Sequence, residues 1–195
     1  GANALTKALK LCASEVAKGA DVLDISADGI AGDGSNRGSK SAMSKFCALY
    51  DAVAKAPVML CSADWKVLKA GLGHLQGRCI VNALCLMLGE DEFLRIAKEC
   101  LKHGAALVVM AVGEQGRAVT SKDKVELLQR SYKLLRQKLD FPAEDIILDV
   151  HLQSLRHDEH PSEVIAAIKE TRRLCPHASI ACGLSNLSAA FGQLR

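Results

Sequence analysis

Short runs of apolar, often branched residues recur along the chain: VLDIS (22–26), PVMLCS (57–62), CIVNAL (79–84), ALVVMAV (106–112), DIILDV (145–150) and ASIACGLS (178–185). Their length and composition predict strands. Between them lie segments of helical period. EDEFLRIAKECLKHG is stopped by Gly104. TSKDKVELLQRSYKLLRQKL opens on the capping-box spacing Thr120 to Asp123 and carries Val125, Leu128, Tyr132, Leu135 and Leu139 on one stripe. PSEVIAAIKETRRL begins with Pro161, where a first helical turn tolerates proline. The N-terminal GANALTKALKLCASEVAKG places Leu5, Leu9, Cys12 and Val16 on one face of a helix.

Strand starts fall 22 to 39 residues apart, a rhythm of βα units that predicts a parallel sheet covered on both faces. A doubly wound open sheet and a (β/α)8 barrel both satisfy it. The strand ends favour the barrel. Nearly every run finishes in polar or reactive residues: Asp24 and Ser26, Cys61 and Ser62, Asn82, Glu114, Asp149 and His151, Ser185 and Asn186. An open sheet gathers its ligand contacts at one switch point, whereas a barrel collects them from many C-terminal strand ends around one mouth. The expectation is an α/β chain forming one domain over 1–195, a TIM-type (β/α)8 barrel that is incomplete. About six βα units are visible, where a closed barrel needs eight.

Composition narrows the function classes. The 195 residues suffice for one full-sized core, and 49% hydrophobic with 24% charged residues is ordinary for a globular protein. A net charge of +3, with one Trp, two Tyr and four Phe, gives no footprint for nucleic acid. No apolar run has the roughly 18 residues of a membrane span. Eight cysteines without any C-x-x-C pair, several inside apolar runs, predict buried thiols rather than disulfides or a zinc site. The matching location is the cytoplasm or another reducing compartment, an organelle if a targeting segment has been removed.

Several motifs invite stronger readings. GDGSNRGSKS (Gly32 to Ser41) resembles a phosphate loop, but Ser39 separates Gly38 from Lys40, so a flexible βα loop is expected. His157-Asp158-Glu159-His160 has two imidazoles three apart; Pro161 follows directly, which makes it a solvated loop before a helix, and no metal site is expected. Lys122, Lys124, Arg130, Lys133, Arg136 and Lys138 read as the water-facing side of an amphipathic helix. Asp149 follows the apolar Ile146-Ile147-Leu148, so its carboxylate enters a largely buried strand end and needs a donor. That donor is either a neighbouring backbone or lysine, or a ligand with adjacent N–H groups. Asn82 after CIV has the same two readings.

Taken together, SADWKVLKAGLGHLQGRCIVNAL, HGAALVVMAVGEQGRA, LDFPAEDIILD and PHASIACGLSNLS resemble the folate-binding (pterin-binding) domain of cobalamin-dependent methionine synthases. The similarity runs from GADVLDIS onward. It implies a barrel holding methyltetrahydrofolate at its C-terminal mouth and passing the N5-methyl group to cob(I)alamin carried on a separate module. A pterin offers adjacent N–H donors that one carboxylate can accept as a charge-assisted pair. By resemblance Asp149 fills that role, Asn82 contacts the ring, and Asp24, Ser62 and Ser185 complete the pterin site. Asn186 corresponds to the asparagine near N5, whose amide can donate or accept as charge develops there.

The departures are specific. Cys61-Ser62 stands where the family has Asp-Ser, Ser26 ends its Asp-Ile-Asn, Gly113 replaces the aspartate before Glu-Gln-Gly, and Asp149-Val150-His151 replaces Asp-Pro-Asn. A neutral thiol at Cys61 cannot replace a carboxylate facing N–H donors. The loss is worth roughly 1.5–3 kcal/mol, or on the order of tenfold to hundredfold in affinity. Set against the family, the first and last strands are also missing, and with these substitutions that supports an alternative, a degenerate, non-catalytic relative serving as a structural subunit. Its partners would be protein subunits covering the open barrel edges, instead of a folate and a cobalamin-bearing domain.

Overall fold

The computed structural model describes residues 2–30, 38–152 and 160–183. The chain divides into two compact units, Gly1–Ala83 with Cys100–Ala106, and Leu84–Glu99 with Leu107–Arg195.

The first unit contains α1 (Ala2–Ala17), β1 (Leu23–Ser26), α2 (Ser39–Tyr50), β2 (Val58–Cys61), α3 (Trp65–Leu72) and β3 (Ile80–Leu84). The strands run parallel in the order β1-β2-β3. In this register Ile25 pairs with Leu60 and Leu60 with Val81, and Leu60 and Val81 are fully buried. Leu60 faces the helices, because a methyl group added at Gly71 of α3 would lie 2.9 Å from Leu60 Cδ1 and 2.9 Å from Met43 Cγ of α2. Gly71 is thus the residue that lets α3 approach β2 and α2 so closely. The chain continues the pairing at Ala106, whose N–H donates to the Cys79 carbonyl at 2.9 Å.

The second unit carries α4 (Glu90–Lys102) in part, then β4 (Ala106–Met110), a short antiparallel hairpin of β5 (Val112–Gly113) and β6 (Gly116–Arg117), α5 (Ser121–Leu139), β7 (Ile146–Asp149), α6 (Pro161–Leu174) and β8 (Ser179–Ala181). Strands β4, β7 and β8 are parallel in that order. Val109 and Leu148 pair at its fully buried centre. The helix punctuation follows the sequence closely. Thr120 Oγ1 accepts from the Asp123 N–H at 3.1 Å, Pro161 occupies the first turn of α6, and Gly104 takes φ 65° after α4.

Six parallel strands alternating with helices give the α/β class expected, and the arrangement is that of an incomplete TIM-type barrel. Two expectations change. The segment Gly32–Ser41 is not loop to its end, because α2 begins at Ser39, whose buried hydroxyl donates to the Ala27 carbonyl at 2.6 Å. Lys124 is not on the water-facing side of α5 but completely buried. It stands four, seven and eleven residues before the buried Leu128, Ser131 and Leu135, so it belongs to the stripe that packs inward. Lys122, Arg130, Lys133 and Lys138 are exposed as expected, and Arg136 is half-buried.

Candidate functional site

Alternation along the strands decides which residues share a face. In the first unit, Ser26, Cys61 and Asn82 are register partners on three adjacent strands, forming a row at their C-terminal ends. Asp24 lies two residues before Ser26 and shares their face. This face is the less buried one; the opposite face carries Leu60 and Val81. The predicted Asp24, Cys61 and Asn82 are therefore brought to one face of one sheet. The Asn82–Ala83 peptide is cis.

A hydrogen-bond chain that the sequence does not announce braces this end. Ser62 Oγ donates to Asp28 Oδ1 at 2.6 Å, the Ala63 N–H reaches Asp28 Oδ2 at 3.1 Å, and the Asp28 N–H donates to Ser26 Oγ at 3.3 Å. Ser62 Oγ also accepts from the Asp64 N–H at 3.0 Å, and Asp64 caps α3 by accepting from the Lys66 N–H at 2.8 Å. The Ser62 N–H in turn donates to the Asn82 carbonyl at 3.1 Å. Asp28 thereby ties the loop after β1 to the loop after β2. An aspartate two residues beyond a strand end is the only signal that could have suggested it.

Burial raises the pKa of the Cys61 thiol above its usual value, and the negative charges of Asp24 and Asp28 raise it further. The thiol is therefore neutral near pH 7 and offers a weak donor where the related pattern has a carboxylate. Asp24, though exposed, also has its pKa raised by partial desolvation. A cavity of about 880 Å³ runs along β1, bordered by Leu23 to Ala27 and by apolar residues of α1 and α2 that include Leu5, Leu11, Met43 and Phe46. All four residues of β1 and the following Ala27 line it, so it follows the edge of β1 rather than one face.

In the second unit Asp149 ends β7, level with Met110 of β4 and Ala181 of β8. Its carboxylate is half-buried on the face opposite Leu148. One oxygen accepts from the His151 N–H at 2.8 Å, closing a tight turn in which His151 takes φ 50°. Burial raises the Asp149 pKa, while the His151 N–H, the His151 charge and Lys124 pull it back. The Lys124 ammonium donates to the Val150 carbonyl at 2.8 Å and to the His151 carbonyl at 2.9 Å. The charge of Lys124 points to water, and only its spacing four and eleven residues before Leu128 and Leu135 signals an inward position.

Gly113 also has a structural explanation. A Cβ there would lie 2.9 Å from Leu127 Cδ2 of α5, so Leu127 fills the space that a side chain at 113 would need. Ser185 and Asn186 lie outside the described residues, as does the His157–Glu159 part of the histidine pair; His160 flanks α6 and bonds Ser162 Oγ through Nδ1 at 2.9 Å. Among the described residues no cluster of His, Cys, Asp or Glu is arranged to hold a metal. No disulfide joins the eight cysteines, and no described helix is long and apolar enough to cross a membrane.

Parallel strands alternating with helices, with polar groups at their C-terminal ends, define an α/β protein of the TIM-barrel class. The chain matches the family described as pterin binding enzyme over residues 2–194, and it belongs to that family. Membership supports a pterin or folate as the ligand.

Proposed function

We propose that the chain binds methyltetrahydrofolate through its pterin ring and serves transfer of the N5-methyl group to cob(I)alamin carried on a separate module. The observation that carries this reading is Asp149. It is a half-buried carboxylate at a C-terminal strand end, with a raised pKa and one oxygen fixed by the His151 N–H. Keeping a carboxylate there is costly without a partner, and adjacent N–H donors of a pterin are a fitting one. By resemblance, Asn82 and Asp24 are the further polar contacts of the pterin. Ser62 donates its proton to Asp28 and keeps one lone pair for a ligand N–H. Ser185 belongs to the same set by resemblance.

Asn186 is the proposed catalytic residue. Departure of a methyl group from a tertiary amine requires positive charge on N5, and an amide can follow that change by rotating between acceptor and donor. Such an interaction, stronger in the transition state than in the ground state, accelerates transfer. The test is methyl transfer to cob(I)alamin followed by its absorbance. Asn186→Ala should retain folate affinity while transfer falls on the order of a hundredfold. Loss of binding and transfer together would remove Asn186 from the catalytic role.

One observation favours a second reading, a non-catalytic subunit of an assembly. The cavity along β1 is bordered by apolar side chains, among them the exposed Leu11 and Ile30. A protein partner covering that edge is the expected occupant under this reading. It would be supported by a stable complex that masks Leu11 from labelling while methyltetrahydrofolate fails to bind.

A further inference from the structure

Lys124 is fully buried in the first turn of α5, with its ammonium bonded to the carbonyl oxygens of Val150 and His151. Burying a lysine charge is unfavourable unless it is hydrogen-bonded, and the Val150 and His151 carbonyls are among the groups that hold it. An apolar residue at this point of the inward stripe would complete the packing of Leu128 and Leu135 more cheaply. The position of the charge therefore calls for a reason beyond packing. These two carbonyls belong to the residues immediately after Asp149, in the turn where His151 adopts the left-handed conformation that a non-glycine residue seldom takes. That same turn presents the His151 N–H to Asp149 Oδ1.

We infer that Lys124 is the positioning residue of the Asp149 carboxylate: by clamping both carbonyls of the turn it fixes the carboxylate's aim, and it supplies a buried positive charge toward it. This rests on the reading of Asp149 as the pterin contact and adds the group that holds that contact in place. Among the described residues, the titratable groups acting on Asp149 are His151 on its own turn and Lys124 from α5; its partners on β4 and β8, Met110 and Ala181, do not ionise. Removing the lysine charge leaves desolvation less opposed, so Asp149 should hold its proton to higher pH.

The experiment uses Lys124→Met and Lys124→Arg, with Asp149→Asn to assign the carboxyl signal. The Asp149 titration is read by carbon NMR on the ligand-free protein, and methyltetrahydrofolate affinity is measured across pH. In Lys124→Met the titration should move to higher pH. Affinity should fall at every pH through the lost aim and about tenfold further at the acid end, while Arg should restore both. An Asp149 titration unchanged in Lys124→Met would overturn the proposal. So would a loss of affinity that is equal at every pH, since that is what a merely structural role produces. If the Met variant does not fold, Lys124→Gln, which keeps a donor but no charge, carries the same test. If the unaltered protein binds no folate, the pterin reading fails, yet the ligand-free titration still decides the role of Lys124.

Discussion

The Ser62 hydroxyl donates to Asp28 at 2.6 Å, a short side-chain bond that, with the Ala63 N–H on the other carboxylate oxygen, holds together the loops after the first two strands. Ser62 is almost fully buried and also accepts from the Asp64 N–H that begins the α3 cap. Ser62→Ala removes a donor from Asp28 and an acceptor from Asp64. The expected loss is about 1–3 kcal/mol in stability, read as a lower urea midpoint. Ser62→Thr should retain most of it. An Ala variant as stable as the parent would mean that water replaces the hydroxyl at no cost.

Gly71 tests the packing of the first unit. An added methyl group meets Leu60 and Met43 at 2.9 Å and Cys47 Sγ at 3.2 Å, and all three residues are buried. Gly71→Ala gains helix propensity, about 1 kcal/mol, but overpacks the helix–sheet contact by about 1–3 kcal/mol. Net destabilisation is expected in thermal unfolding. A higher Tm would show that Met43 and Leu60 yield more easily than their burial implies.

Cys61 should be a slow thiol despite its partial exposure, because burial and the two nearby carboxylates raise its pKa. Asp24→Asn removes one of those charges and should speed alkylation of Cys61 at mildly alkaline pH, where thiolate is limiting. Peptide mass spectrometry at this residue checks it. An unchanged rate would assign the effect to burial alone.

Asp149 should make the protein less stable as pH rises. Its folded pKa lies above the unfolded value, so between the two the folded state binds more protons than the unfolded one and stability falls with increasing pH. The penalty is absent below the unfolded pKa and complete above the folded pKa. Asp149→Asn should therefore stabilise the protein at neutral pH, with the difference shrinking as the pH approaches the ordinary carboxylate range. Equal stability at all pH values would show that the carboxylate is already compensated without a ligand. A residue kept at a cost to stability is expected at a functional position.

Most of the fold was legible because parallel strands buried by helices read as unbroken apolar runs, such as Ala106–Met110 and Ile146–Asp149. Capping at Thr120 and Pro161 was legible because it depends on neighbours in sequence. Asp24, Asn82 and Asp149 could be proposed because each breaks such a run at its end. Lys124 is marked only by its spacing to Leu128 and Leu135, while its charge points to water and the Val150 and His151 carbonyls it bonds lie 26 and 27 residues away. Asp28 was missed for a related reason: its partner Ser62 is 34 residues away, and only the register of β1 with β2 brings them together. The vacancy at Gly113 became intelligible only with Leu127 seen against it.

The central claim, that a pterin ring pairs with Asp149, is tested most directly by calorimetric titration of methyltetrahydrofolate into the protein and into Asp149→Asn. Saturable binding to the parent, weakened on the order of tenfold to hundredfold in the Asn variant as a charge-assisted pair becomes a neutral one, is the predicted result. Equal affinity in the two proteins, or no heat from the parent even at millimolar ligand, would contradict it.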